Sequence, residues 1–342
     1  MSRRATIHDV ATQASVSVTT VSHAFSGRGS VAAATRRRVF EVAERLGYRP
    51  DVLVRAAQGE RLPIVSLVVR GLPGLREAGD GLDYFIRFSG AAAMTSLETG
   101  YALMLVADPS GPHASGSTLA TDAFLVTEPV EDDPLITLLE GSGIPYLTVG
   151  RVPGGAARAP YVDIETPRLT RLGLDHLVER GARRVAIVVG TARNEWNLQT
   201  IRTYTQWARE RGQEVIVEAR RAYGGERSGL TAGKALMARA DPPDAIYALQ
   251  GPHAVGVLRH LRERRIRVPE RVQVVAGVEC APVRDAHIPI TTIDLEPEVL
   301  AERAIAALLA HLRGTPMPVH RPGVGVLVQR DSSRSLDDDV SA

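Results

Sequence analysis

A chain of 342 residues, 44 % hydrophobic and 23 % charged, has enough apolar surface for two or three folding units, and it contains no run of about 18 uncharged apolar residues that would span a bilayer. The start MSRRATIHDV lacks the apolar stretch of a secretion signal, so the expected location is the cytoplasm. Cys280 is the only cysteine, which excludes an intrachain disulfide and a cysteine-rich zinc site; it reads as a small buried hydrophobe. The nine histidines show no metal spacing, and no GxSxG, P-loop, HExxH or GxGxxG in strand-turn-helix context occurs, so neither an enzyme nor a metal or cofactor is expected. The net charge of +2 hides an asymmetry. Residues 1–61 hold ten arginines against five acids, whereas the rest of the chain is slightly acidic. A basic head on an acidic body is the distribution expected when only the head meets a polyanion.

The head reads as three short helices. Thr6-Ile7-His8-Asp9 is a capping-box-like start, after which Val10, Ala11 and Ala14 share one helical face. A turn at Ala14-Ser15-Val16 leads to Ser17, an N-cap for a second helix from Val18 to Phe25. A third helix is predicted at about 35–46, with Val39, Val42, Ala43 and Leu46 as its apolar stripe and Gly47 as its stop. The spacing of the first two predicts a helix-turn-helix. Residues 1–50 therefore form a DNA-binding domain and 51–61 a polar linker.

Beyond the linker, short β-branched runs alternate with amphipathic helical stretches: IVSLVV (64–69), YALMLVAD (101–108), AFLVT (123–127), PYLTVG (145–150), RVAIVVG (184–190), EVIVEA (214–219), AIYAL (245–249) and VQVVAGV (272–278). Continuous apolar strands separated by helices predict parallel sheets buried on both faces. The fold class is α/β: a small all-α head on a core, 62–331, with one sheet before about residue 160 and a second after it. Residues 332–342, SSRSLDDDVSA, read as a disordered polar tail that begins at Ser332.

The segment TIHDVATQASVSVTTVSHAFSGRGSVAAATRRRVFEVAERLGYRPD resembles the head of the lactose-repressor (LacI/GalR) family, and the similarity continues more weakly to about residue 331. The resemblance implies a core of two periplasmic-binding-protein-like subdomains joined by three crossings, near 160, 290 and 320. It further implies a homodimer or tetramer that reads a near-palindromic operator in double-stranded DNA, and a small-molecule effector in the cleft.

On the DNA side, the start of the second helix enters the major groove, which points to Val18, Thr19 and Thr20, with Ser22 and His23 one turn on. By resemblance, Val18 and Thr19 choose the bases. His23 stands where many members carry Arg. Thr6, His8 and Thr35 look like phosphate clamps, and Ser17, Tyr48 and Val54 complete the candidate face. Ala57 occupies the position of the family's minor-groove leucine wedge, and Asp51 replaces the usual Asn. A methyl group fills an unstacked base step poorly, so weaker bending is expected, unless a shifted register uses Leu53.

On the effector side, Tyr84 and Phe85 match the family's aromatic pair and Tyr223 another pocket aromatic. Thr200 replaces the usual Arg, Gln250-Gly251 an Asn-Asp pair, Glu279-Cys280 an acidic pair, and Glu165-Thr166 an Asp-Asn. Arg193, Asn194 and Trp196 offer a different clamp. These departures argue against a simple hexose as effector. The competing reading is a ligand-independent or architectural DNA-binding regulator with a degenerate cleft. DPSGPHASGSTLATD (108–122) is too rich in Gly, Ser and Pro for the helix usually placed there, which affects the cleft wall and the dimer surface.

Overall fold

The computed structural model describes residues 5–26, 29–48, 63–70, 82–111, 121–154, 159–221, 224–315 and 325–334. In the head, α1 (Ile7–Ala14), α2 (Val18–Ser26) and α3 (Ala33–Leu46) pack Val10, Ala11, Ala14, Val21, Ala24, Val39, Val42 and Ala43 into one small core. Thr6 and Asp9 form a reciprocal capping box: the Thr6 amide donates to Asp9 Oδ2 at 2.8 Å and the Thr6 hydroxyl accepts from the Asp9 amide at 3.4 Å. Ser15 ends α1 in the left-handed conformation (φ 52°), and Gly47 ends α3 the same way (φ 63°). The third helix begins two residues earlier than its apolar stripe suggests, because the small residues Ala33 and Ala34 extend the first turn.

The core holds two sheets. The first has the order β2-β1-β3-β4-β5, all parallel, from β1 (Ile64–Val69), β2 (Ala102–Ala107), β3 (Ala123–Thr127), β4 (Tyr146–Val149) and β5 (Tyr161–Val162). Helix α4 (Leu82–Glu98) connects β1 to β2, and α5 (Pro134–Ser142) connects β3 to β4. The second sheet has the order β11-β10-β9-β8-β6-β7, from β6 (Val185–Gly190), β7 (Val217–Arg220), β8 (Ala245–Ala248), β9 (Gln273–Ala276), β10 (Thr291–Asp294) and β11 (Val326–Val328); only the β10–β11 pair is antiparallel. Its helices are α6 (Thr166–Glu179) ahead of β6, then α7 (Glu195–Glu210), α8 (Gly225–Met237), α9 (Gly251–Glu263) and the short α10 (Ala281–Arg284) between successive strands.

Alternation along the strands of the second sheet feeds two separate cores. Ala186, Val188, Ile246, Val274 and Ala276 point to one with α8 and α9, whereas Val185, Ile187, Val189, Tyr247 and Val275 point to the other with α6 and α7. Helices α8 and α9 touch backbone to backbone: a Cβ on Gly256 would lie 2.0 Å from the Glu226 carbonyl oxygen, so only glycine fits. The strand read from EVIVEA begins only at Val217. The Ile216 amide is taken by the Tyr204 hydroxyl at 3.0 Å, which itself donates to the Val185 carbonyl at 2.7 Å.

Helix α11 (Pro297–Leu312) follows β10 but packs Leu300, Ala301, Ala304, Ile305 and Leu308 into the core of the first sheet, with Val65, Leu67, Phe88, Leu125 and Leu147. The chain thus crosses between subdomains at 163–165, at 295–296 and again before β11. The first two crossings share one turn. The Asp163 carboxylate accepts from the Glu165 amide at 2.9 Å and Asp294 from the Glu296 amide at 2.9 Å, and both glutamates are left-handed (φ 53° and 49°) at the N-caps of α6 and α11. Arg168 bonds Glu165 at 2.9 Å and the Gly325 carbonyl at 3.3 Å, and the Gly325 amide donates to Glu296 at 2.8 Å, so all three crossings are tied together.

The tail reading needs correction at its start. Ser332 and Ser333 are buried: the Ser332 hydroxyl donates to the Val274 carbonyl at 2.6 Å and accepts from the Thr291 amide at 2.8 Å. The Ser332 hydroxyl satisfies strand backbone groups that the sheet leaves open, and the Ser333 hydroxyl pairs with the Thr291 hydroxyl at 2.7 Å and with His176 at 2.8 Å, so both serines belong to the folded core despite the polar composition.

Candidate DNA-reading face and effector cleft

The second head helix presents Thr19 fully to solvent, whereas Val18 is half-buried against the head core and gives only part of its surface to a partner. The Ser17 hydroxyl caps α2 by accepting from the Thr20 amide at 3.0 Å and lies 2.8 Å from the Thr20 hydroxyl, which fixes both side chains at the helix start. Thr6 and His8 are exposed; Ser22, Thr35 and Tyr48 are half-buried. His23 packs on Gly29, where an added Cβ would meet its Nδ1 at 2.7 Å. Tyr48 closes the bottom of the head edge-on to Phe25, at 5.9 Å between ring centroids. Val54 and Ala57, with Asp51 and Leu53, lie outside the described residues, as does Tyr223.

Between the two core subdomains lies a cavity of about 490 Å³, lined by ends of strands from both sheets. Of the expected effector residues it takes in Tyr84, Phe85, Asn194, Trp196 and Gln250. The other three described ones are occupied elsewhere. Thr200 is fully buried, its hydroxyl 3.4 Å from that of Thr170 where α7 crosses α6. Glu279 is a buried carboxylate between Arg284 at 3.0 Å and Arg330 at 2.9 Å. Arg193 reaches across the cleft mouth to Glu131, where the Glu131 amide also donates to the Arg193 carbonyl at 3.1 Å and Val130 bridges Asn194. Asp83–Arg284 and Arg87–Asp294, both at 3.2 Å, add further ties between subdomains, while Arg87–Glu298 at 2.7 Å joins α4 to α11 within the first one. Gly251 also has a structural cause: any Cβ there would meet Cys280 Sγ at 2.6 Å, so an acid at this position and this cysteine exclude each other.

Several lining residues escaped the sequence reading: Arg70, Glu128, Arg151, Asp163, Glu195 and Gln199. The first four stand just beyond the carboxyl ends of β1, β3, β4 and β5, which is where the ligand rule for open parallel sheets places a site, so strand ends alone would have found them. Arg70 makes a bidentate contact with Asp133 at 2.7 and 2.9 Å. Burial alone would raise the Asp133 carboxyl; Arg70 and the backbone amides of Val130 and Leu135 overcome that and hold it below the usual carboxylate range. Tyr84 stacks on Phe88 with centroids 6.2 Å apart, and burial together with the neighbouring Glu128 charge keeps its phenol protonated at any physiological pH.

Residues 6–51 match the model for bacterial regulatory proteins of the lacI family, and residues 174–333 match the periplasmic binding protein-like domain. The HTH-type transcriptional regulator CelR of Thermobifida fusca is 30 % identical over 318 residues, which cover 90 % of this chain and 91 % of that protein. The chain belongs to the LacI family. Catabolite control protein A of Priestia megaterium is 26 % identical over 284 residues, covering 79 % of this chain and 81 % of that one. Among solved structures, the CelR–cellobiose complex superposes with a TM-score of 0.70 at 26 % identity, covering 96 % of this chain and all of that one. The lac repressor dimer bound to operator and the anti-inducer ONPF gives a TM-score of 0.77 at 20 % identity over 97 % of this chain, which establishes the shared fold. This LacI-family chain is a DNA-binding transcriptional regulator whose head reads DNA and whose core is of the effector-binding type. No helix among its described residues is long and apolar enough to cross a membrane.

Proposed function

We propose that the chain is a repressor that binds a near-palindromic operator as a homodimer and whose DNA affinity is set by a small polar molecule held in the core cleft. The observation that carries the effector part is the set of polar groups left over in that cavity. The Tyr84 hydroxyl, the Glu128 carboxylate and the Gln250 amide face it, and none of them has a hydrogen bond to protein. A degenerate cleft, by contrast, would be expected to have closed on itself or paired its polar groups.

Helix α4 supports the dimer. Ile86, Met94 and Leu97 lie on one stripe and are 55, 60 and 63 % exposed, and Leu105 on the edge strand β2 is 52 % exposed. Apolar side chains of this size on an exposed helical face suit a self-complementary contact. In vitro selection of bound DNA followed by footprinting tests the reading. A palindrome of two half-sites is expected, with Met94→Glu abolishing dimers in sedimentation and weakening operator binding. No enriched motif would favour an architectural binder instead.

A further inference from the structure

We infer that the effector carries a cationic amine, which the cleft seats against Glu128 with the body of the ligand on the aromatic wall of Tyr84, Phe85 and Trp196. This inference rests on the cleft being an effector site and names the ligand's chemical class.

The argument is a charge balance over the cavity lining. Five ionisable side chains line it, and four have partners within the protein. Arg70 is neutralised by Asp133 at 2.7 Å and Asp108 at 3.7 Å. Arg151 lies 3.7 Å from Asp163 and over the Tyr161 ring at 4.8 Å. Glu195 accepts from Gln199 at 2.6 Å and from Arg202 at 2.9 Å. Of the five, Glu128 alone has neither a hydrogen bond nor an ion pair, although Arg70 and Tyr84 are its electrostatic neighbours in the cleft.

Its backbone makes the placement deliberate. Glu128 is left-handed (φ 48°) at the end of β3, a conformation that costs a non-glycine residue energy and persists where its surroundings impose it. Glu128 is exposed in the open cleft, so it is a ligand filling the cleft that would take its carboxylate out of water. The protein therefore offers one unpaired carboxyl group beside aromatic faces. A neutral hydroxyl would hydrogen-bond there but leave the charge uncompensated. An ammonium group supplies the charge, a charge-assisted hydrogen bond and an attraction to the rings.

The test is thermal shift and calorimetry on the full chain with matched pairs: glucosamine beside glucose, benzylamine beside benzyl alcohol, and tryptamine beside tryptophol. At least one amine is expected to bind and stabilise where its alcohol does not. Glu128→Gln should weaken that amine by about tenfold or more while leaving operator binding of the empty protein intact. Glu128→Asn, whose side chain tolerates a left-handed backbone, serves as the second variant. Equal binding of amines and alcohols, or amine binding that survives both substitutions, overturns the amine class and leaves the cleft reading standing. Failure of every probe on a protein that binds its operator overturns the amine class as well; a neutral ligand that then releases the operator would keep the cleft reading alone.

Discussion

The two halves of the core solve the same problem with different means. The second sheet is covered on both faces, its strands feed two cores by simple alternation, and its helices α8 and α9 meet backbone to backbone. The first sheet has one large cluster, completed by the borrowed helix α11, and relies on polar ties such as Arg70–Asp133; its edge strand β2 leaves Leu105 exposed. One half is limited by volume, the other by charge pairing and lent surface. The difference suits a regulator: a tightly packed half gives the cleft a fixed wall, and the other half keeps exposed apolar side chains for the second copy proposed above.

The contrast can be broken most directly at Gly256. Gly256→Ala forces a methyl group to within 2.0 Å of the Glu226 carbonyl and 2.5 Å of the Leu230 amide nitrogen, neither of which can swing away. A loss of about 3 kcal/mol is expected, read as a lower urea midpoint with unchanged slope. A loss below about 1 kcal/mol would show the second half to be as yielding as the first. Next in size is Asp133→Ala, which strips Arg70 of its bidentate partner and α5 of its N-cap; about 2–3 kcal/mol should go. Asp133→Asn keeps the cap and should recover only part. Because the Asp133 carboxyl is depressed on folding, its contribution is complete above the unfolded value near 3.8 and is lost as pH falls through the folded one.

The smallest effect belongs to His176 in α6, whose Nε2 lies 2.8 Å from the Ser333 hydroxyl. Burial, helped by Arg180, lowers its imidazole to about 4 from 6.5. Folding therefore favours the neutral ring. Between these values the unfolded chain binds a proton that the folded one refuses, so stability is full above about 6.5 and falls as pH drops toward 4. At pH 5 the expected loss is about 2 kcal/mol. Melting curves at pH 7.5 and 5 should show it, and His176→Gln should flatten the difference; an unchanged pH dependence in that variant would contradict the assignment.

Legibility in the sequence followed the range of the forces. Thr6, Ser17 and Gly47 act within three or four residues of themselves, so the head helices and their caps could be read directly. The strands were visible because burial on both faces demands continuous apolar runs, but the late start of β7 depended on the Tyr204 hydroxyl, twelve residues from the amide it takes. Tyr84 and Phe85 could be named by resemblance to the family, and Trp196 by its place in the loop after the strand RVAIVVG. Glu128 could not: in sequence it is one acid in the polar stretch TEPVEDDP, and its isolation appears only once its neighbours have paired with one another. Thr200 and Glu279 were misplaced for the converse reason, since their partners Thr170 and Arg330 come from distant segments. Ser332 and Ser333 looked like tail because hydroxyls signal solvent until a strand edge needs them.

The yoke of Glu165, Arg168, Gly325 and Glu296 across the three crossings has a mechanical meaning. Three separate tethers would let one half swivel on the other in any sense. Coupled at their midpoints, they behave as a leaf flexure: compliant to folding about the line through the turns, stiff against torsion and shear. A signal from a filled cleft is then delivered as motion along a single coordinate, and a substitution such as Arg168→Ala would blur its direction before it reduced its amplitude.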